Sequence, residues 1–310
     1  MTIVVLGGIN QDVVAAVDDL PRCGETVAAT GVTHRAGGKG LNQAIAAVRH
    51  GGAVRLLGAV GDDPAGAGLR EVMAGESIDA GDVAVLADRP TGQALIALAR
   101  SGANTIIVNA GANAAFKAAE VARARTDADV FLTQFEATPE AIEALFTTRH
   151  AERGIRILNA APAIEAGHPL LALVDILVLN ETELQMFARL PDVPDREADI
   201  VDHARGLLSR PDQHVIVTLG ASGCLCVGQD RSVRVPGLRM DAIDTIGAGD
   251  CFCGVLAAAL DRGALLEDAL HSANAAAAIS VTREGAGASA PSRAEVDEIL
   301  ARAHVGGGTR

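Results

Sequence analysis

The sequence has 310 residues, is 49% hydrophobic and carries a formal net charge of −13. That length and apolar content allow one large α/β domain or two modest ones, and an acidic surface without any basic cluster repels nucleic acid backbones. Aromatic residues are only 2%, with no Trp and no Tyr, so the core is Ala, Val, Leu and Ile, and 34 glycines favour close helix packing over a β-sandwich.

Residues 2–7 form a short apolar run ending at Gly7-Gly8, the pattern of a buried strand entering a loop. This start has no basic segment, and no apolar run reaches the roughly 18 residues of a membrane helix, so the expected location is the cytoplasm. Residues 11–36 alternate and turn, with Pro21, Gly24 and Gly31 as punctuation, as small strands outside a main sheet do. Gly37-Gly38-Lys39-Gly40 then opens a helix from Leu41 to about His50. Further strands are predicted at 54–60, 130–134, 155–159, 176–179, 215–219 and 225–227, and helices at 65–74, 139–150, 181–190, 248–260, 266–281 and 293–303. Segments 83–86, 94–99 and 105–108 also read as strands.

Alternating strands and helices predict a parallel sheet covered on both faces. Segments 11–36 and 90–108 fall outside that rhythm and are expected to pair into a small antiparallel sheet over the active edge. No linker, low-complexity block or repeat divides the chain, so residues 1–310 read as one domain with a lid formed by about 11–36 and 90–108. The glycine-rich tail from Gly306 is expected to fray. Of the five cysteines, Cys224 and Cys226 alternate on one face of a strand, and Cys251 and Cys253 start an apolar helix. Both pairs read as buried thiols rather than metal ligands.

Ligands of such folds bind beyond the carboxyl ends of the strands, where Asn10, Asp12, Glu136, Asn180 and Glu183 fall. Each alone is an ordinary turn or cap residue; their recurrence along one edge points to a site. The strongest stretch is Asp244-Thr245-Ile246-Gly247-Ala248-Gly249-Asp250. Its small residues let successive N–H groups converge at a helix N-terminus, which makes an anion hole. Two readings of Asp250 stay open on this stretch alone: a base for a hydroxyl attacking a phosphoryl group, or a first-turn carboxylate favoured by the helix dipole. The 37–42 stretch allows close backbone approach to a ligand. It is not a GxxxxGK[ST] loop, and no GxGxxG follows a strand, which weakens a dinucleotide-dehydrogenase reading.

Further motifs complete the pattern: Gly8-Ile9-Asn10-Gln11-Asp12, Asn109-Ala110-Gly111-Ala112-Asn113, Asn159-Ala160-Ala161-Pro162, Asn180-Glu181-Thr182-Glu183 and Thr218-Leu219-Gly220. Together with GGKGLN at 37–42 and DTIGAGD at 244–250, they make the chain, from about Ile3 to Leu300, resemble the ribokinase branch of the ribokinase-like (PfkB) carbohydrate kinase family. The resemblance implies a three-layer α/β fold with a mostly parallel central sheet and a small β-sheet lid. It implies ATP-dependent phosphorylation of the 5-hydroxyl of D-ribose, with Asp250 as base and Gly247, Ala248 and Gly249 as the anion hole. Sugar contacts are implied for Asn10, Asp12, Gly38, Lys39, Asn42 and Glu136, with Ala94 and Val108 as apolar neighbours. Nucleotide contacts are implied for Asn180, Thr218, Gly220, Ala221, Ser222, Gly223, Gly249 and Asn274, and Glu183 would organise Mg2+ through water.

The same resemblance implies K+ beside the hole, held by Asp244 and Ile246 on one side and Ser280, Arg283, Gly285 and Ser289 on the other, with Arg283 acting through its carbonyl. Read from the residues alone, 283–289 is an ordinary glycine-rich loop. A homodimer through the lids is implied as well. Gln93 is polar where an apolar residue is expected, and Asn109 stands where some members carry histidine; both bear on the choice of sugar. Deoxyribose, fructose or a nucleoside are alternative acceptors, the last disfavoured by the lack of Tyr and Trp. A sugar-binding regulator without catalysis is disfavoured by Asp250, the hole and the NxxE at 180–183.

Overall fold

The run Ile3-Val4-Val5-Leu6 can be accommodated only where both faces of a strand are covered, and the computed structural model, which describes residues 2–306, buries all four as β1 (Ile3–Leu6). In chain order there follow β2 (Asn10–Val17), β3 (Gly31–Gly37), α1 (Lys39–Arg49), β4 (Val54–Gly61), α2 (Pro64–Gly75), β5 (Val83–Leu86), β6 (Gly92–Ala99) and β7 (Asn104–Asn109). Next are α3 (Ala118–Val121), β8 (Val130–Gln134), α4 (Pro139–Phe146), β9 (Ile155–Asn159), β10 (Ile176–Asn180), α5 (Glu181–Phe187) and α6 (Glu197–Gly206). The last are β11 (His214–Thr218), β12 (Gly223–Val227), β13 (Ser232–Pro236), α7 (Ala248–Asp261), α8 (Leu266–Ser280) and α9 (Arg293–Gly306).

Among the described residues, nine strands form the main sheet in the order β13-β12-β11-β10-β9-β8-β1-β4-β5. The strands from β11 to β5 run parallel, and β12 and β13 are antiparallel additions at one edge. Successive residues of the central strands face opposite layers. Ile3, Val5, Leu132 and Val178 join one core with α1, α7 and α8, whereas Val4, Leu6, Phe131 and Leu179 join another with α4 and α5. Phenylalanine is divided unequally between them. Phe116, Phe131, Phe135, Phe146 and Phe187 fill the second core; Phe252 alone serves the first, which is rich in alanine. Small side chains let α1 and α7 lie very close. A Cβ on Gly254 would stand 2.3 Å from the Gln43 carbonyl oxygen and 2.7 Å from Ala46 Cβ.

A second sheet, in the order β3-β2-β6-β7, rises from the carboxyl edge of the first. The expected antiparallel pairing is corrected at its centre: β2 and β6 run parallel, with Asp12 opposite Ala94, and only β2–β3 and β6–β7 are antiparallel. The reason is that β2 leaves the carboxyl edge after β1 and β6 leaves the same edge after β5, so both depart in one sense before each folds back on its hairpin partner.

Two helices stop short of their expected ends. After α4, the Thr147 and Thr148 hydroxyls donate back to the carbonyls of Glu143 and Leu145; after α5, Arg189 adopts a φ of 55° and turns the chain without a glycine. The helix α6 was not foreseen because its apolar stripe is thin, burying only Ile200 and Ala204. Cys224, Cys226, Cys251 and Cys253 are buried free thiols, while Cys23 is exposed. No helix among the described residues is long and apolar enough to cross a membrane. The tail at 307–310 lies outside the described residues.

If the α1–α7 contact governs this layer, Gly254→Ala will destabilise the fold by about 1–3 kcal/mol through overpacking, although alanine is the better helix former. Urea unfolding of the two proteins measures the difference.

Candidate active site

The approach of α1 to α7 brings their first turns together. Gly247 caps α7 with a φ of 79°, in the left-handed region open to glycine. A side chain there is excluded also by space, since a Cβ would stand 2.6 Å from Ala286 Cα. Ala248, Gly249 and Asp250 then open the helix, whose first N–H groups have no partner within it. Asp250 is buried, at 6% exposure. Its Oδ2 accepts a hydrogen bond from Asn42 Nδ2 (3.0 Å), its Oδ1 accepts one from Gln43 Nε2 (3.0 Å), and Lys39 Nζ lies 4.0 Å from Oδ1. The Asp250 carboxylate raises the Lys39 ammonium above its ordinary value, outweighing burial.

Asn10 and Asp12, on β2, and Glu136, just past β8, join this cluster. Glu136 Oε2 accepts from the Lys39 N–H (2.9 Å) and from Asn10 Nδ2 (3.5 Å). Room for these side chains comes from glycine: a Cβ on Gly8 would stand 2.1 Å from Glu136 Oε2, and one on Gly37 2.1 Å from Asp12 Oδ2. Burial pushes the Asp12 carboxyl up to about 6, with the Asp250 charge adding and Arg35 opposing. Burial likewise pushes Glu136 up to about 7, against the pull of Lys39. Ala94 pairs with both Asp12 and Val108, so the three share one face of the small sheet; Ala94 is buried and Val108 is 57% exposed. Carboxylates, amides and one ammonium in electrostatic contact supply the donors and acceptors that a polyhydroxy compound requires.

Ala248 and Gly249 also border a cleft of about 710 Å³. Thr218, Gly220, Ala221, Gly223 and Asn274 line it as expected. Ser222 does not; its carbonyl accepts from Gly237 N–H and Arg234. Leu238, Met240 and Phe252 add an apolar wall. Asn180 stands opposite Thr218 on the neighbouring strand. It forms a capping box with Glu183, Asn180 Oδ1 accepting from the Glu183 N–H and Glu183 Oε2 from the Asn180 N–H, each at 2.8 Å. Burial raises the Glu183 carboxyl.

The loops at 244–246 and 280–289 meet beside the α7 N-terminus. Asp244 Oδ1 accepts from the Ile246 N–H and Oδ2 from the Gly285 N–H, both at 3.0 Å, and the Asp244 N–H donates to the Val281 carbonyl (3.1 Å). The Arg283 guanidinium pairs with Glu295, which leaves Arg283 its carbonyl for any ligand. Ser280 and Ser289 are both buried. Among the described residues, no group of three or more His, Cys, Asp or Glu is arranged to hold a metal ion by itself.

Two polar contributors were missed. Asn113 donates Nδ2 to Asn10 Oδ1 (2.8 Å) while clamped to the N–H and carbonyl of Ile9. Gln43 lies one residue beyond Asn42 in the GGKGLN helix. Asn113 stood inside a recognised motif without a role; Gln43 carried no signal beyond its position.

The profile of the pfkB family carbohydrate kinases matches residues 1–293. A ribokinase of Haemophilus influenzae is 34% identical over 310 residues, covering 97% of this chain and 99% of its own. A deoxyribokinase of Salmonella typhi is 33% identical over 313 residues, covering 97% and 99%. The solved structure of Arabidopsis thaliana ribokinase complexed with ribose and ATP is similar at a TM-score of 0.85 and 27% identity, over 96% of this chain and 98% of that one.

A carboxyl whose pKa rises on folding contributes stability that is present below its unfolded value and lost as the pH climbs through its folded value, here about 7 for Glu136. Glu136→Gln removes that loss. It is expected to raise the melting temperature of the ligand-free protein at about pH 8.5, with the difference narrowing as the pH falls through about 7; scanning calorimetry across this range checks it.

Proposed function

Because the chain belongs to the pfkB family of carbohydrate kinases, we propose that it transfers the γ-phosphoryl group of ATP to the 5-hydroxyl of D-ribose, with Asp250 as the base. The observation that carries this reading is one buried carboxylate, held by two amides at a helix N-terminus, with a cluster of polar side chains around it and a nucleotide-sized cleft at the same helix end. Similarity to a ribokinase and to a structure complexed with ribose and ATP supports the substrates.

In this reading Asn10, Asp12, Gly38, Lys39, Asn42 and Glu136 hold the sugar hydroxyls, and Ala94 and Val108 cover its apolar face. Thr218, Gly220, Ala221, Gly223, Gly249 and Asn274 hold the nucleotide, with Asn180 beside its phosphates. The sugar oxygen forms a bond to the γ-phosphorus, the bond from that phosphorus to the bridging oxygen breaks, Asp250 takes the hydroxyl proton, and ADP leaves. Gly247, Ala248 and Gly249 direct N–H groups at the charge on the transferred group. Phosphoryl transfer has a loose transition state, so positioning and charge stabilisation outweigh deprotonation of the attacking hydroxyl.

Mg2+ requires few protein ligands beside nucleotide phosphates and water. Glu183, with one carboxylate oxygen committed to its helix cap, fits such a role through water; bound there, the ion neutralises phosphate charge. K+ fits between the two joined loops, with Asp244, Ile246, Ser280, Arg283, Gly285 and Ser289 as its ligands. The lid, about 11–36 and 90–108, closes over the sugar and excludes water. Its outer face, opposite Asp12, carries Val32, Leu95 and Ile107 at 56%, 47% and 64% exposure, a surface suited to pairing with the lid of a second copy.

An ADP-release assay over a panel of pentoses, with and without K+, tests the assignment. Ribose with K+ is expected to turn over fastest. Faster turnover of 2-deoxyribose, the second reading in view of the deoxyribokinase relative, would reassign the sugar, and no turnover of any sugar would overturn the proposal. Asp250→Asn is expected to lower kcat by about 10²-fold or more with sugar binding nearly intact. Sedimentation is expected to show a dimer that Leu95→Glu with Ile107→Glu converts to monomer.

A further inference from the structure

Gln43 is fully buried, at 0% exposure, and none of the roles above uses it. Its Nε2 donates to Asp250 Oδ1 (3.0 Å) and to Asn159 Oδ1 (3.1 Å), so both amide hydrogens are committed. Asn159 ends β9, is itself buried, and is fixed by donating Nδ2 to the Val178 carbonyl (3.4 Å). Gln43 Oε1 is buried and has no hydrogen-bond partner among the described residues. Turning the amide over would set that oxygen against two acceptors. The orientation is therefore forced, and it leaves one acceptor unmatched, an unfavourable state that methionine of similar volume would avoid. What the amide adds, and methionine lacks, is a donor aimed at Asp250.

We propose that Gln43, backed by Asn159, is a positioning residue for phosphoryl transfer that fixes the rotation of the Asp250 carboxylate and supplies one of the two hydrogen bonds that hold it. The inference rests on Asp250 being the base. Asn42 and Gln43 grip one carboxylate oxygen each, so the plane of the group cannot turn, and each oxygen retains a lone pair. Both grips are neutral amides; the charged groups that also face the carboxylate are the Lys39 ammonium, 4.0 Å from Oδ1, and the carboxyls of Asp12 and Glu136. Asn159 prevents the Gln43 side chain from swinging away, and so links the end of β9 to the first turn of α7.

The test is the single-turnover transfer rate, by rapid quench, from about pH 5 to about pH 9, with sugar KM and melting temperature in parallel. Gln43→Met is expected to lower the plateau rate about tenfold and move the acid limb up by about one pH unit, with sugar KM within about twofold of wild type. Asn159→Ala is expected to shift both in the same direction, and the double variant to be no slower than Gln43→Met, because the two act through one hydrogen-bonded chain. A Gln43→Met protein with the wild-type plateau and limb overturns the proposal. So does a rate loss equal at every pH, which would assign Gln43 to packing.

If Gln43→Met does not fold, Gln43→Glu decides: a second carboxyl beside Asp250 is expected to move the limb further up, and an unmoved limb overturns the proposal. Asp250→Asn measured alongside separates the two levels. Near-normal turnover by that variant removes the base, whereas its inactivity beside wild-type behaviour of the Gln43 variants removes only this inference.

Discussion

The chemistry of this protein depends on how closely α1 can lie against α7. The donors to Asp250 stand on the first helix and the acceptor on the second, and hydrogen bonds of 3.0 Å survive shifts of only a few tenths of an ångström. Alanine and glycine on the facing surfaces make that separation possible, and the aromatic bulk is sent to the opposite side of the sheet. The 280–289 loop braces the contact. Its Gly287 N–H donates to Asn42 Oδ1, and Arg49, at the far end of α1, donates to the Ala288 and Ala290 carbonyls. One helix thus holds Asp250, the 280–289 loop and the end of β3.

Electrostatics sharpen the same point. Asp250, Glu136 and Glu183 gather around one ammonium, Lys39, with Asp12 facing Asp250 and Glu136 from the side of Arg35, and burial raises Asp12 and Glu136 well above their ordinary range. An empty cluster of this kind opposes folding at neutral pH, and the fold tolerates it because the large flanking cores are continuous.

Much of this was legible in the sequence, and for a common reason. Asn10, Asp12, Glu136 and Asn180 stand just after or at the end of apolar runs, so a period-two reading of those runs already puts them at one edge of a parallel sheet. Asp250 was left open by its own stretch and read as the base only through the resemblance; its burial and its two amide partners favour that reading over a carboxylate that merely suits a helix end. Gln43 was not legible because its meaning lies in the direction of an amide against a residue 207 positions away. Leu238 and Met240 were missed because their stretch has no period, and the parallel pairing of β2 with β6 because strand direction is set by the sheet beneath, not by either strand. The NxxE at 180–183 is instructive in the other direction, since the structure meets the ordinary reading as a helix cap and the proposed phosphate-side role is compatible with it.

The span between Asn42 and Asp250, 208 residues, also fixes when the site can exist. During synthesis the polar residues from Asn10 to Asn42 leave the ribosome long before the helix that carries Asp250, and β1 waits for β8 to complete its pairing in the middle of the sheet. Contacts of such long range form late. A chain that ends before α7 therefore lacks Asp250 and its contacts with α1, so the cluster is incomplete until residues 248–261 have been made.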